Sequence, residues 1–212
     1  MRFLLALLLT VVLFCSGCAL KVVPEPTANG VIDTHTNSQT ITRDNISITV
    51  RNDEAELDSY NLANFVTTFA VEVDNNSASE LALTPDSFLL VDDQNRQYSV
   101  LTPDAVKQIV TKDSYYLLPY PYVGFYYLED YERASFKNRY SSNLPYYYEI
   151  YPQDIYTKAL RPVTLIPKAK ANGLLYFGVD VANLKEVKIL MYKKSTPRSA
   201  APDFSFPFRI EK

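Results

Sequence analysis

Hydrophobic and polar positions change their period several times along this chain. Residues 3–14 are apolar with one interruption, Thr10, and follow the single charge of Arg2. The run falls short of the ~18 apolar residues a membrane span needs and runs into small residues, the layout of a secretory leader over 1–17. From Lys21 to about Asp44 the apolar periodicity fades. Pro24, Pro26, Gly30 and a Thr/Asn/Ser-rich stretch predict a flexible tether over 18–44, with a reach of ~25–30 Å. At Asn45 a period of two sets in: Ile46, Ile48 and Val50, then Phe65, Thr67, Phe69, Val71 and Val73. Leu81–Leu83 continues the sheet, and Phe88–Val91 and Gln97–Leu101 form a hairpin around Asp92-Asp93-Gln94-Asn95. Thr102-Pro103-Asp104 opens a helix running to about Val110, because Thr caps, Pro suits the first turn and Asp favours its positive end. Further helices are expected over Glu129–Tyr140 and Pro152–Leu160. Strands return at Val163–Ile166, Gly173–Val179, Val187–Tyr192 and Phe204–Ile210. Pro207 lacks a ladder donor, which places the last strand at an edge or ends it there. Short strands separated by turn signals define a mainly β chain, an antiparallel β-sandwich over 45–212 with a partly helical insertion.

Two stretches resemble known bacterial patterns. Cys15-Ser16-Gly17-Cys18 after the apolar run is similar to a lipoprotein signal. That resemblance implies cleavage before Cys18, several acyl chains (palmitate among them) carried by that residue, and attachment of the mature protein to an envelope membrane. Ala19-Leu20, rather than Asp, after the cysteine implies the outer membrane in a Gram-negative host. Phe65–Asp74, Asn75-Asn76-Ser77, Thr84-Pro85-Asp86-Ser87-Phe88-Leu89-Leu90-Val91-Asp92-Asp93 and Gln97-Tyr98 together resemble the immunoglobulin-like, telokin-like domain of bacterial surface lipoproteins. Its pattern is a hydrophobic strand, an Asn-rich turn, a Pro-x-x-Phe-x-Leu-x-Asp segment and a hairpin. Leu165-Ile166-Pro167 to Gly173-Leu174-Leu175-Tyr176-Phe177 is similar to the domain's later half, with Lys168 where that pattern has Gly. The resemblance implies an immunoglobulin-like sandwich and brings no catalytic residues with it.

Composition narrows the chemistry. The chain has 21 basic and 24 acidic residues, a net charge of −3, and losing Arg2 with the leader makes it more negative. Nothing here suits nucleic acid. With Cys15 removed and Cys18 lipidated no thiol remains for a disulfide, so stability must come from burial, which 47% hydrophobic residues can supply. The one histidine, His35, lies in the polar stretch and is expected to be solvated. It supplies neither a catalytic triad nor a zinc site. No cofactor and no metal are expected.

Residues 115–156 hold most of the tyrosines, punctuated by Pro119, Pro121, Pro145 and Pro152. Tyr offers a stiff apolar face with a polar tip, suited to a second core layer, to a surface for protein or glycan partners, or to a mobile loop. As a contact surface its centre would be Tyr120, Tyr122, Tyr126 and Tyr127, beside Gly124. The doublets Asp92-Asp93 and Glu129-Asp130 are the candidate catalytic carboxylates. Neighbours on a strand point to opposite faces, so neither doublet makes an acid–base pair. Asp92–Asn95 lacks the Gly and closing Glu of a calcium loop and reads as a solvated turn. The expected function is a non-enzymatic, lipid-anchored envelope protein presenting its sandwich for protein or glycan contact. The alternatives are a structural subunit of an envelope assembly and, last, a carboxylate-based glycan hydrolase.

Overall fold

The computed structural model describes residues 20–53, 66–109 and 153–212. In chain order the strands are β1 (Lys21–Pro24), β2 (Gly30–Asp33), β3 (Ser38–Arg43), β4 (Ile46–Asn52), β5 (Thr67–Asn75) and β6 (Leu81–Leu83). They continue as β7 (Phe88–Asp92), β8 (Gln97–Ser99), β9 (Val163–Leu165), β10 (Lys170–Phe177), β11 (Glu186–Met191) and β12 (Phe204–Glu211). Helix α1 covers 103–109 and α2 covers Gln153–Lys158. One sheet runs β1-β12-β11-β7-β8, the other β10-β5-β4-β3-β2, and β6 pairs with β9. All the strand pairs are antiparallel. The fold is mainly β, an antiparallel sandwich, as the alternation predicts.

The period of two decides which side chains meet. Ile46, Ile48 and Val50 point inward from β4; Phe69, Val71 and Val73 from β5. Facing them are Phe88 and Leu90, then Val187, Ile189 and Met191, then Phe204, Phe206 and Phe208, all in one core. The Phe69 and Phe208 rings lie 5.1 Å apart across the layers. Each such side chain, fully buried, contributes ~1.5–3 kcal/mol. At one side of the sandwich the chain after β8 closes the gap: Val100 bridges Phe177, and Leu101 N donates to Tyr176 O at 2.7 Å.

The alternation of β5 is broken where Thr68 is also buried. The cause is a second layer. Val106 of α1 and Ile155 of α2 cover the outer face of β5 and β10, packing on Val66, Leu174 and Tyr176. Gly173 of β10 lies under this layer. A Cβ there would meet the Leu160 backbone, which crosses so close that Leu160 N donates to Leu174 O at 2.9 Å.

Two expectations are corrected. The tether over 18–44 does not hold from Lys21 onward, because Lys21–Arg43 supplies β1, β2 and β3. Val22 is 3% exposed and pairs with Ile210. The inward positions of this stretch carry no hydrophobic alternation because several are polar. Gln39 is fully buried, its amide nitrogen donating to Glu25 O (2.8 Å) and Thr27 Oγ1 (3.1 Å).

Pro207 neither ends its strand nor places it at an edge, since β12 lies between β1 and β11. The N and O of one strand residue project to the same side. Pro207 O accepts from Glu25 N at 2.9 Å, so that side faces the chain just past the end of β1. The bond that Pro207 cannot return to Glu25 O comes from the Gln39 side chain instead.

Candidate functional site

The two ends of the sandwich differ in chemistry. Lys21 pairs with Glu211, and Val187 with Asp92, so the start of β1, the end of β12 and the β7–β8 turn share one end. Strand β12 carries the chain from Glu211 to Phe204, seven residues or roughly 24 Å, to the opposite end. There Phe204 pairs with Met191, and Met191 with Phe88.

At the first end, Asp92 organises the hairpin. Its side chain is buried, and Oδ1 accepts from Gln94 N (2.9 Å) and Arg96 N (2.8 Å). Oδ2 accepts from Arg96 Nε (2.6 Å) and Tyr98 OH (3.1 Å). Burial by itself raises this carboxyl's pKa. The Arg96 bonds, with Gln94 N and Tyr98 OH, outweigh it and hold the group below the ordinary aspartate value. Burial and the Asp92 contact push the Tyr98 phenol up. The solvated-turn reading of Asp92–Asn95 is therefore corrected at Asp92. Asn95 takes the left-handed backbone the turn needs, at φ 60°.

The opposite end holds a groove of about 520 Å³. Its walls are 82–87, from β6 to the turn before β7, 162–164 around β9, and the loop after β11. That loop is fixed by local bonds: Tyr192 N to Ser87 O at 2.8 Å and Lys193 N to Asp203 Oδ2 at 2.8 Å. Lys193, Lys194 and Arg198 bring three positive charges to the groove and Asp86 one negative charge, and Thr84, Ser87, Thr164 and Thr196 bring hydroxyls. Lys193 Nζ lies 3.0 Å from Asp44 Oδ2, clamping the β3–β4 turn of the other sheet. One Arg198 Nη2 donates to Asp86 O at 2.7 Å, which fixes the guanidinium while leaving it further donors. Lys194 is exposed. A second hollow, about 410 Å³ on the outer face of β4, β5 and β10, mixes both signs: Arg51 and Asp53 pair at 2.9 Å beside Glu72.

The residues singled out from sequence fall as follows. Cys18 and Tyr120, Tyr122, Tyr126 and Tyr127 lie outside the described residues, as do the helix expected over 129–140 and the doublet Glu129-Asp130. His35 is exposed in the β2–β3 turn, its backbone N–H donating to Asp33 Oδ1 at 2.9 Å. Tyr156 of the Tyr-rich stretch joins the two helices, donating to Asp104 Oδ1 at 2.7 Å. Among the described residues no three His, Cys, Asp or Glu side chains converge as metal ligands. No helix there is long and apolar enough to cross a membrane. Sequence reasoning missed the groove. Its only linear signal is Lys193-Lys194 followed by Arg198 just past a strand; the hydroxyls come from distant segments.

No protein-family model and no curated protein matches the sequence. Among solved structures, the chain is similar to MPT63, a secreted protein from Mycobacterium tuberculosis, in its 1.5 Å crystal structure. The TM-score is 0.33 at 12% identity, covering 80% of this chain and 95% of that one.

Proposed function

We propose that this chain is a lipid-anchored envelope protein that acts by contact rather than catalysis, held close to its membrane with the grooved end turned outward. The observation that carries this reading is the start of β1 at Lys21, three residues after Cys18. Three residues span at most ~10 Å. Acyl chains on Cys18 would therefore seat the Lys21–Glu211 end against the headgroups and point the groove away from them. Ala19-Leu20 favours the outer membrane where the host has two. The likeness to the telokin-like domain gains support from two of its marked positions: Asp92 is the buried organiser of the hairpin, and Lys168 sits at φ 67°, where the pattern has Gly.

Intact mass spectrometry of membrane-extracted protein tests the anchor. A mature chain starting at Cys18 and heavier by several acyl groups is expected, with Cys18→Ala released from the membrane fraction. An unmodified thiol defeats the reading. Orientation is tested separately by single-cysteine labelling on whole membranes. A bulky polar reagent should modify Ser195→Cys readily and Glu211→Cys slowly; equal rates remove the outward-facing groove.

The Tyr120, Tyr122, Tyr126 and Tyr127 surface stays a proposal for partner contact. Changing the four to Ser should abolish crosslinked partner capture and leave the melting temperature unchanged. The structural-subunit reading draws on the Tyr156–Asp104 bond, a tyrosine of that stretch working inside the protein. It expects the same four changes to lower the melting temperature instead.

A further inference from the structure

We propose that the groove between β6, β9 and the loop after β11 binds an acidic glycan, a saccharide bearing carboxylate or phosphate groups. The inference deepens the contact reading above, and it requires no lipid on Cys18. The chain as a whole is acidic, with a net charge of −3, so Lys193, Lys194 and Arg198 on one groove, against the single carboxylate of Asp86 in its lining, oppose the prevailing charge. Their roles separate. Lys193 is engaged by Asp44 and holds the two sheets together. Arg198 is oriented by the Asp86 carbonyl and keeps N–H groups in hand for a second acceptor. Lys194 is exposed, and no described carboxylate forms an ion pair with it. Two oriented or available cations along one channel suit repeated anions on a chain better than a single small ion.

The remaining lining argues for sugar over peptide. Four hydroxyl side chains line it: Thr164 and Thr196, and Thr84 and Ser87, which bond each other at 3.3 Å and keep further hydrogen-bonding capacity, so the lining matches a ligand rich in hydroxyls. A peptide anchor needs an open apolar or aromatic pocket. Among the described lining residues, Tyr192 is 9% exposed and Leu83 fully buried, and Val163 is the exposed large hydrophobic. The mixed-sign hollow over β4, β5 and β10 offers no comparable field.

The test is titration of the purified Cys18→Ala chain with polygalacturonate, its fully methyl-esterified form, a phosphorylated mannan, poly-glutamate and vesicles containing anionic lipid. Binding to polygalacturonate or the phosphomannan is expected, and the tighter of the two names the anion. The esterified polymer, with the same backbone and no charge, should bind about tenfold or more weakly. Raising the salt from ~0.05 to ~0.5 M should weaken the charged complex, because the screening length then falls to a few ångströms. Lys194→Glu, at an exposed side chain, should retain the wild-type melting curve and lose affinity about tenfold; adding Arg198→Glu should remove it. Absence of binding to both acidic glycans, or binding unchanged in Lys194→Glu, overturns the proposal. So does equal or tighter binding of poly-glutamate, which makes the groove a peptide site, or of the vesicles, which makes it a lipid site. Because the chain carries no lipid in this experiment, its failure leaves the anchor untouched, and failure of the anchor leaves the groove untouched.

Discussion

Lys168 holds the backbone angle least suited to its side chain. It is the third residue of a turn in which Ala169 N donates to Ile166 O at 3.1 Å, Pro167 is second, and φ at Lys168 is 67°. That is type II geometry, which asks for glycine at this position. Lys168→Gly should raise stability by ~0.5–1 kcal/mol, the left-handed strain removed less the added freedom of the unfolded chain. Thermal melting checks it; an unchanged or lower midpoint refutes the strain. Next to this turn, buried Asn75 stitches two connections together. Its amide nitrogen donates to Ser79 O and Leu165 O, both at 2.9 Å, and its oxygen accepts from Ser77 Oγ at 2.6 Å. Asn75→Ala should lower stability by ~2–4 kcal/mol in denaturant unfolding, since buried carbonyls lose their donors. Asn75→Asp should lose more, as it turns an acceptor toward carbonyls. The Asp92 carboxyl sits below its ordinary pKa when folded. In acid the unfolded chain binds the proton first, so this group's stabilisation is present above the unfolded pKa and fades as pH falls through the folded one. Asp92→Asn should be less stable at neutral pH and should flatten the decline below about pH 4; a parallel decline removes Asp92 as its source.

The elements show where a sequence is readable. β4, β11 and β12 keep strict alternation because one face meets a continuous core, and the period of two predicts all three at nearly their observed limits. It does not reach β1 to β3, because their inward positions include Gln39 and Ser38, and because β1 finds its partner, β12, at the far end of the chain. No local window contains that information. Val22→Asp separates the two descriptions. Its charge would be buried against β12 without a partner, so a loss of 3 kcal/mol or more, about the effect of an unpaired buried charge, is expected in unfolding experiments. In a flexible tether the same change would do nothing. The groove was equally illegible, since its walls come from segments about eighty and thirty residues apart in sequence. Position-two periodicity finds strands, and it carries no word about which strand ends meet.

At the scale of the molecule, the sandwich separates two chemistries by the length of a strand: a carboxylate-organised hairpin beside the amino-terminal strand, and a cationic groove beyond Met191 and Phe204. The pairing of Lys21 with Glu211 also means that the start of β1 and the end of β12 are neighbours in space. A short glycine-serine link could therefore join them, and new termini could be opened at Thr196-Pro197 on the far loop. Such a circularly permuted chain should still give the same strand-rich circular dichroism spectrum.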